Sequence, residues 1–301
     1  MPDRTTGSRL ATVLLIGVTA VWGSTFFLIR DLVQVVPPID FLAVRFSIAA
    51  AVMALAFRRQ VLALGRRDLL LGVVLGSLYG SAQILQTIGL RTTAASVSGF
   101  VTGMYVVLTP VLAAIIFRDR IGRSAWFAVA LATVGLALLS LRGGLHVGIG
   151  EGLTLLAAVV YALHIVGLGR WSTTSSAVGL ATVQAGVIAV ICLVGAVPGG
   201  VVLPQSGGQW ASTLYMAVIA GAGALWAQTR AQAHLTATRA AIVMTLEPVF
   251  AAFFAVLLGG ESLTVRMLLG GGLVIAAMYL VELGGNRSPD LPPAEALHHE
   301  V

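Results

Sequence analysis

The sequence predicts an all-α membrane protein of ten transmembrane helices, arranged as two inverted five-helix repeats. Three observations lead there. The chain is 58% hydrophobic and 10% charged, whereas a soluble domain is about half apolar and about a quarter charged. Its apolar residues gather into ten runs near the length of about 20 residues that crosses a bilayer. The two halves also repeat one pattern in the same order.

The runs cover approximately 11–29, 39–57, 69–90, 94–117, 124–141, 152–169, 177–198, 210–229, 238–259 and 265–283. The first follows the polar segment 1–10 and is a long span rather than a short signal-peptide core, so it is expected to be retained. Arginine, glycine and proline separate most of the others, in FRRQVLALGRRD, FRDRIGR, LRGGLHVGIGEG, VPGGVVLPQSGGQ and LGGESLTVR. Residues 11–141 form the first five-helix repeat and 142–283 the second. The polar, proline-containing stretch 284–301 is expected to be a disordered cytoplasmic tail. Its His298 and His299 make no metal site, and Cys192, the single cysteine, excludes an intrachain disulfide.

Arginine placement tests the count. The 18 basic residues are all arginine. With the N-terminus in the cytoplasm, 13 arginines fall inside, four fall outside (Arg30, Arg91, Arg142 and Arg266), and Arg45 falls within a span. That is a strong positive-inside bias, and an error of one span would scramble it. Both termini are therefore expected in the cytoplasm. The net charge of +6 reports membrane orientation, not nucleic-acid binding.

The duplication is visible in TTAASVSGFVTGMYVVLTPVLAAIIFRDRIG and TATRAAIVMTLEPVFAAFFAVLLGGESLT. In each, small and Thr-rich residues open a helix, a proline follows with PVLAAII or PVFAAFF, and an acid, Asp119 or Glu261, closes it. Five spans per half is an odd number, so the copies insert in opposite senses, as in transporters whose site lies where the repeats meet. Pro110 and Asp119 are nine residues apart and Pro248 and Glu261 thirteen, about one helical turn more. No site is therefore transferred from one half to the other.

VWGSTFFLIR (21–30), GFVTGMYVVLTPVLAAIIFRDR (99–120) and TLEPVFAAFFAVLLGGESLT (245–264) resemble the EamA-type branch of the drug/metabolite transporter superfamily. The likeness spans essentially residues 11–283. It implies a carrier of small metabolites, often an amino-acid exporter, in the bacterial inner (plasma) membrane. It further implies a central cavity surrounded by spans 1–4 and 6–9, with spans 5 and 10 peripheral.

Polar groups in the bilayer core need internal partners, and an acid at a helix centre costs roughly 3 kcal/mol on insertion scales. Glu247, near mid-depth of the ninth run, is the leading candidate. It is expected to bind a substrate amine or carry the coupling proton; hydrogen bonding to a neighbouring helix is the plain alternative. Pro110 and Pro248 are expected to kink their helices by freeing the carbonyls of Val106 and Met244. Trp22, Ser24 and Thr25 around Gly23 are candidates for an aromatic wall with hydroxyls, or for close packing. Gln83 with Gln86, Thr102 with Tyr105, and Tyr161 with His164 each sit three residues apart and share a helix face. With Gln228, they are candidates to line one polar cavity; interhelical bonds worth about 0.6 kcal/mol each are the alternative. Arg45 is expected to snorkel to the external surface beside Asp40, the alternative being a grip on a substrate carboxylate. Gly99 and Gly103 are packing devices. The run Gly270–Gly272 is too, with a homodimer contact through the peripheral helices as a further use.

Other classes fit less well. The sequence contains no G-x-x-x-x-G-K-[ST] loop, which leaves ion or substrate gradients as the energy source and calls for no cofactor. An intramembrane enzyme would need a nucleophile with a base, or paired carboxylates. The sequence places only His164 mid-membrane, His234 near a helix end, and no second acid beside Glu247. Within transport, the alternative to an amino-acid exporter by alternating access is a lipid-precursor or multidrug exporter. That carrier would use Glu247, Trp22 and the tyrosines as a cation cage.

Overall fold

The computed structural model of the chain describes residues 4–117, 123–140, 148–171, 176–232 and 243–284. Asp119, His234, Arg142, residues 238–242 and the tail beyond Gly284 lie outside the described residues. The described chain is helical: α1 (Arg4–Leu32), α2 (Pro38–Ala56), the short α3 (Arg58–Leu62), α4 (Arg66–Gly89), α5 (Ala95–Gly103), α6 (Tyr105–Phe117), α7 (Arg123–Ser140), α8 (Ile149–Trp171), α9 (Ala177–Ala196), α10 (Gly207–Leu214), a π-helical stretch (Tyr215–Gly223), α11 (Ala224–Gln232), α12 (Glu247–Leu257) and α13 (Val265–Gly284). The helix α1 starts at Arg4, seven residues before the expected first span at 11.

Among the described residues, seven helical segments are long and apolar enough to cross a membrane. They are Leu10–Leu32, Pro38–Ala56, Arg66–Gly89, Ala95–Ile116, Ile149–Leu168, Ala177–Gly199 and Gly207–Gln228. Three further helices, Trp126–Leu139, Glu247–Leu257 and Val265–Leu280, are apolar but shorter. Large apolar side chains such as Leu55, Leu70, Phe127, Val194 and Leu268 stand exposed on the surface, the arrangement expected of helices that face lipid and not water.

The expected kinks are relocated. In the fourth run the helix continues through position 110 and breaks at Met104 instead. There the N–H of Met104 reaches Val101 O (3.2 Å) and that of Val107 reaches Met104 O (3.0 Å), three residues back and not four. In the ninth run Pro248 does not bend a helix interior. The helical turns break at Thr245–Leu246, and Pro248 occupies the first turn of α12, where its missing N–H has no intrahelical partner to lose.

Nearly all of the extensive helix pairings cross between the halves. The helix α1 packs on α11 and α12, α2 on α9 and the π stretch, and α4 on α8 and α9. Likewise α5 packs on α12, α6 on α8, and α7 on α13. Exchanging each segment for its counterpart in the other half returns the same map. The closest approaches use glycine. A Cβ on Gly23 would stand 2.8 Å from the backbone nitrogen of Ala251 in α12, and Gly99 of α5 meets the same Ala251. Gly135 and Gly270 face each other's carbonyls across α7 and α13, and Arg266 at the start of α13 donates to the carbonyls of Leu138 (3.0 Å) and Leu139 (2.8 Å) at the end of α7. That contact makes the two helices antiparallel. Gly271 packs on Phe100. Of the run expected to serve a dimer, only Gly272 faces open space.

Candidate functional site

A belt of polar side chains converges from both halves. Gln86 of α4 donates to Thr102 Oγ1 of α5 (2.8 Å), and Tyr161 of α8 donates to Gln86 Oε1 (3.0 Å). Tyr105, the first residue after the Met104 break, donates to Glu247 Oε2 (3.3 Å). Its ring meets that of Tyr161 edge-on at 6.5 Å. One amide in α4 thus links three elements, and the break in the fourth run lets Thr102 and Tyr105 reach different partners. Glu247 opens α12, at the positive end of that helix's dipole, and is partly buried. Its partner is the Tyr105 hydroxyl.

Tyr79 of α4 forms the hub beside this group. Its ring lies 5.7 Å from that of Tyr161, stacks on His164 at 5.2 Å and meets Phe46 edge-on at 6.3 Å. Gln83 Nε2 donates to the Tyr79 hydroxyl (3.2 Å), while Gln83 Oε1 is buried without a partner. His164 Nε2 bonds Gln184 Oε1 of α9 (2.7 Å).

The remaining expected residues separate. Trp22 Nε1 donates to Ala220 O (2.9 Å) in the π stretch. Ser24 turns to Tyr215 Oη (2.8 Å) and lines a mostly apolar groove of about 490 Å³ between α1, α10, the π stretch and α12. The Thr25 hydroxyl returns to its own helix at Trp22 O (2.7 Å). Gln228 contacts Met244 Sδ (3.7 Å) and belongs with the packing of α1 on α11. Arg45 neither snorkels nor pairs with Asp40. It is 5% exposed, and Asp40 instead accepts from the Val202 N–H (3.0 Å).

Three participants were not anticipated: Tyr79, Gln184 and Tyr215. Gln184 carried a signal, as an amide in the apolar run ATVQAGVIAVIC. Tyr79 carried none beyond lying one turn before Gln83. The π stretch has no obvious sequence mark apart from its density of small residues, YMAVIAGAG.

One end of the belt is fastened. At the last turn of α1, Arg30 Nη1 pairs with Glu261 Oε1 (2.7 Å) and Nη2 donates to Gly259 O (2.6 Å). Glu261 also accepts from the N–H groups of Ala95 (2.6 Å) and Ser96 (3.3 Å) and from the Ser96 hydroxyl, capping α5. The chain reaches this position because Gly260 adopts φ +69°, a left-handed conformation that glycine takes without steric cost. A single carboxylate thereby ties α1, α5 and α12 together. Glu261→Gln is expected to lower stability by about 2 kcal/mol, the scale of hydrogen bonds to a charged group. Thermal unfolding of the purified protein checks this, and an unchanged melting temperature would show that the cluster carries no load.

A family model described as the EamA-like transporter family matches residues 9–141 and again 148–283. An uncharacterized transporter of Archaeoglobus fulgidus is 30% identical over 266 residues, covering 88% of this chain and 83% of that one. A solved crystal structure of a protein shares the fold at TM-score 0.63 and 20% identity, over 93% of this chain and 98% of the other.

Proposed function

Because the chain belongs to the EamA-like transporter family and is a multi-pass membrane transporter, we propose that it exports small metabolites, amino acids foremost, by alternating access. The observation that carries this reading is the belt around Tyr79, Tyr161 and Glu247. It gathers an acid, three amides, a histidine, a threonine hydroxyl and three tyrosine hydroxyls from α4, α5, α6, α8, α9 and α12 inside a bundle whose outer surface is apolar. Such groups are costly in lipid, and a polar cargo matches them.

Ten spans in two inverted repeats account for the rest. The two family matches support the duplication. The pairing map that survives exchange of the halves, with α7 antiparallel to α13, supports opposite insertion. The three shorter apolar helices are the candidates for the remaining spans. With the N-terminus cytoplasmic, the Arg30–Glu261 fastening lies outside, and outward release requires α1, α5 and α12 to part there. Glu247 is the group placed to take the cargo ammonium or a coupling proton.

Reconstitution into proteoliposomes tests this. Vesicles loaded with radiolabelled amino acids should lose label faster with the protein than without it, and an imposed proton gradient separates antiport from facilitated diffusion. Equal loss with and without protein across the amino acids, alongside flux of cationic dyes, would replace the reading with multidrug export.

A further inference from the structure

We propose that Arg45 is a cargo-binding residue that holds an anionic group, a carboxylate in the first instance, at the α2 side of the polar belt. This rests on the transport reading above and deepens it by naming one chemical feature of the cargo.

The guanidinium is buried and under-partnered. Arg45 is 5% exposed, and its Nη1 has no hydrogen-bond partner. Its Nε makes one long bond to Met216 O (3.3 Å) in the π stretch. Among the described residues the ion pairs are those of Arg30, and none involves Arg45. The compensation it does have comes from the rings of Phe41 and Phe46, whose centroids lie 5.9 and 5.2 Å from the guanidinium carbon. Ring faces are not hydrogen-bond partners for the in-plane donors of the fork, which are its principal means of binding. An arginine kept in a membrane interior without a carboxylate is expensive, and a cargo anion is the partner that would relieve it.

Its position fits. Phe46, the next residue, touches Tyr79. The Tyr79 ring lies 5.7 Å from that of Tyr161, which meets the ring of Tyr105, the residue that donates to Glu247. A chain of ring contacts therefore connects the helix turn that carries the cation to the acid. Gln83 Oε1, the other buried and unpartnered group of the belt, sits on the amide that bonds Tyr79. A donor and an acceptor are left open around one ring, as a zwitterion would require. A cationic drug would meet the guanidinium as a like charge.

The test is a thermal-shift series on the purified full-length protein. The probes are the standard L-amino acids, the same amino acids as carboxamides, and short monocarboxylates without an amine (butyrate and phenylacetate). A ligand that binds the folded state raises its melting temperature. Free acids are expected to stabilise the wild type and carboxamides to do so far less. In Arg45→Gln the apparent affinity for acids should fall about 30-fold or more, the size expected when one partner of a buried charge pair is truncated. Affinity for the carboxamides should be nearly unchanged, so the acid preference disappears. Arg45→Lys keeps the charge without the fork and should show an intermediate preference. It also serves if the Gln variant does not fold.

A merely structural Arg45 would lower the melting temperature of the ligand-free variants and leave the acid preference intact, which overturns the proposal. Equal stabilisation of the wild type by acids and carboxamides, or none by any carboxylate, overturns it too. Stabilisation by monocarboxylates and not by amino acids, lost in Arg45→Gln, would retain the anion site and reject the amino-acid reading.

Discussion

Glu247→Gln is expected to reduce transport at least about 30-fold in proteoliposomes while leaving the fold intact. Glutamine keeps the volume of the side chain and an oxygen that accepts the Tyr105 hydroxyl bond (3.3 Å). The stability cost should therefore stay within about 1 kcal/mol. What glutamine removes is the ability to be charged: it can neither neutralise an ammonium group nor carry a proton. A loss that large corresponds to about 2 kcal/mol of interaction, the lower end for truncating a desolvated charge pair. The measurement is initial efflux rate against melting temperature for the same preparation. A rate within twofold of wild type would assign Glu247 to holding α6 against α12 and nothing more.

The second large effect is on folding. Gly23→Val is expected to destabilise the protein by about 3 kcal/mol or more. At Gly23 a Cβ would stand 2.8 Å from the Ala251 nitrogen and 2.9 Å from the Phe250 carbonyl carbon. The obstruction is backbone, so no rotamer change relieves it and α1 must move away from α12. Overpacking in a close-packed core costs about 1–3 kcal/mol, occasionally more, and a helix displaced along its length belongs at the upper end. Because α1 also carries Arg30, the movement would strain the Glu261 fastening as well. Gly17→Ala, six residues earlier in the same helix, meets nothing within 4 Å and should change stability by about 1 kcal/mol or less, in the favourable direction. Detergent-solubilised melting temperatures of the two variants settle it. Equal melting of both would mean that α1 and α12 do not approach as described.

The sequence alone determined the environment and the duplication. Apolar runs of bilayer length and a repeated Pro-to-acid segment are local and periodic properties; lipid imposes the first directly, since a chain in hydrocarbon must be helical and apolar outside. Periodicity also placed Gln86 with Gln83 and Tyr161 with His164, because three residues separate neighbours on one helix face; the same expectation for Thr102 and Tyr105 gave way to the break at Met104 between them. Glu247 was legible for the same reason: an acid in an apolar run marks itself.

Which polar group meets which was a different matter. Gln86 joined Tyr161 and Thr102 while Gln83 joined Tyr79; Ser24 went to Tyr215. Those outcomes depend on helix rotation and on partners up to 191 residues away, which no local pattern encodes. The breaks at Met104 and Thr245–Leu246 displaced the kinks expected at Pro110 and Pro248 for a related reason. Proline states where an N–H is missing; packing against the opposite half decides where the backbone gives way. Arg45 shows the limit most plainly. Its sequence neighbours offered Asp40 as a partner one turn away, and only the tertiary structure turned Asp40 to the Val202 N–H and brought the guanidinium against the rings of Phe41 and Phe46, where it has no ion-pair partner among the described residues.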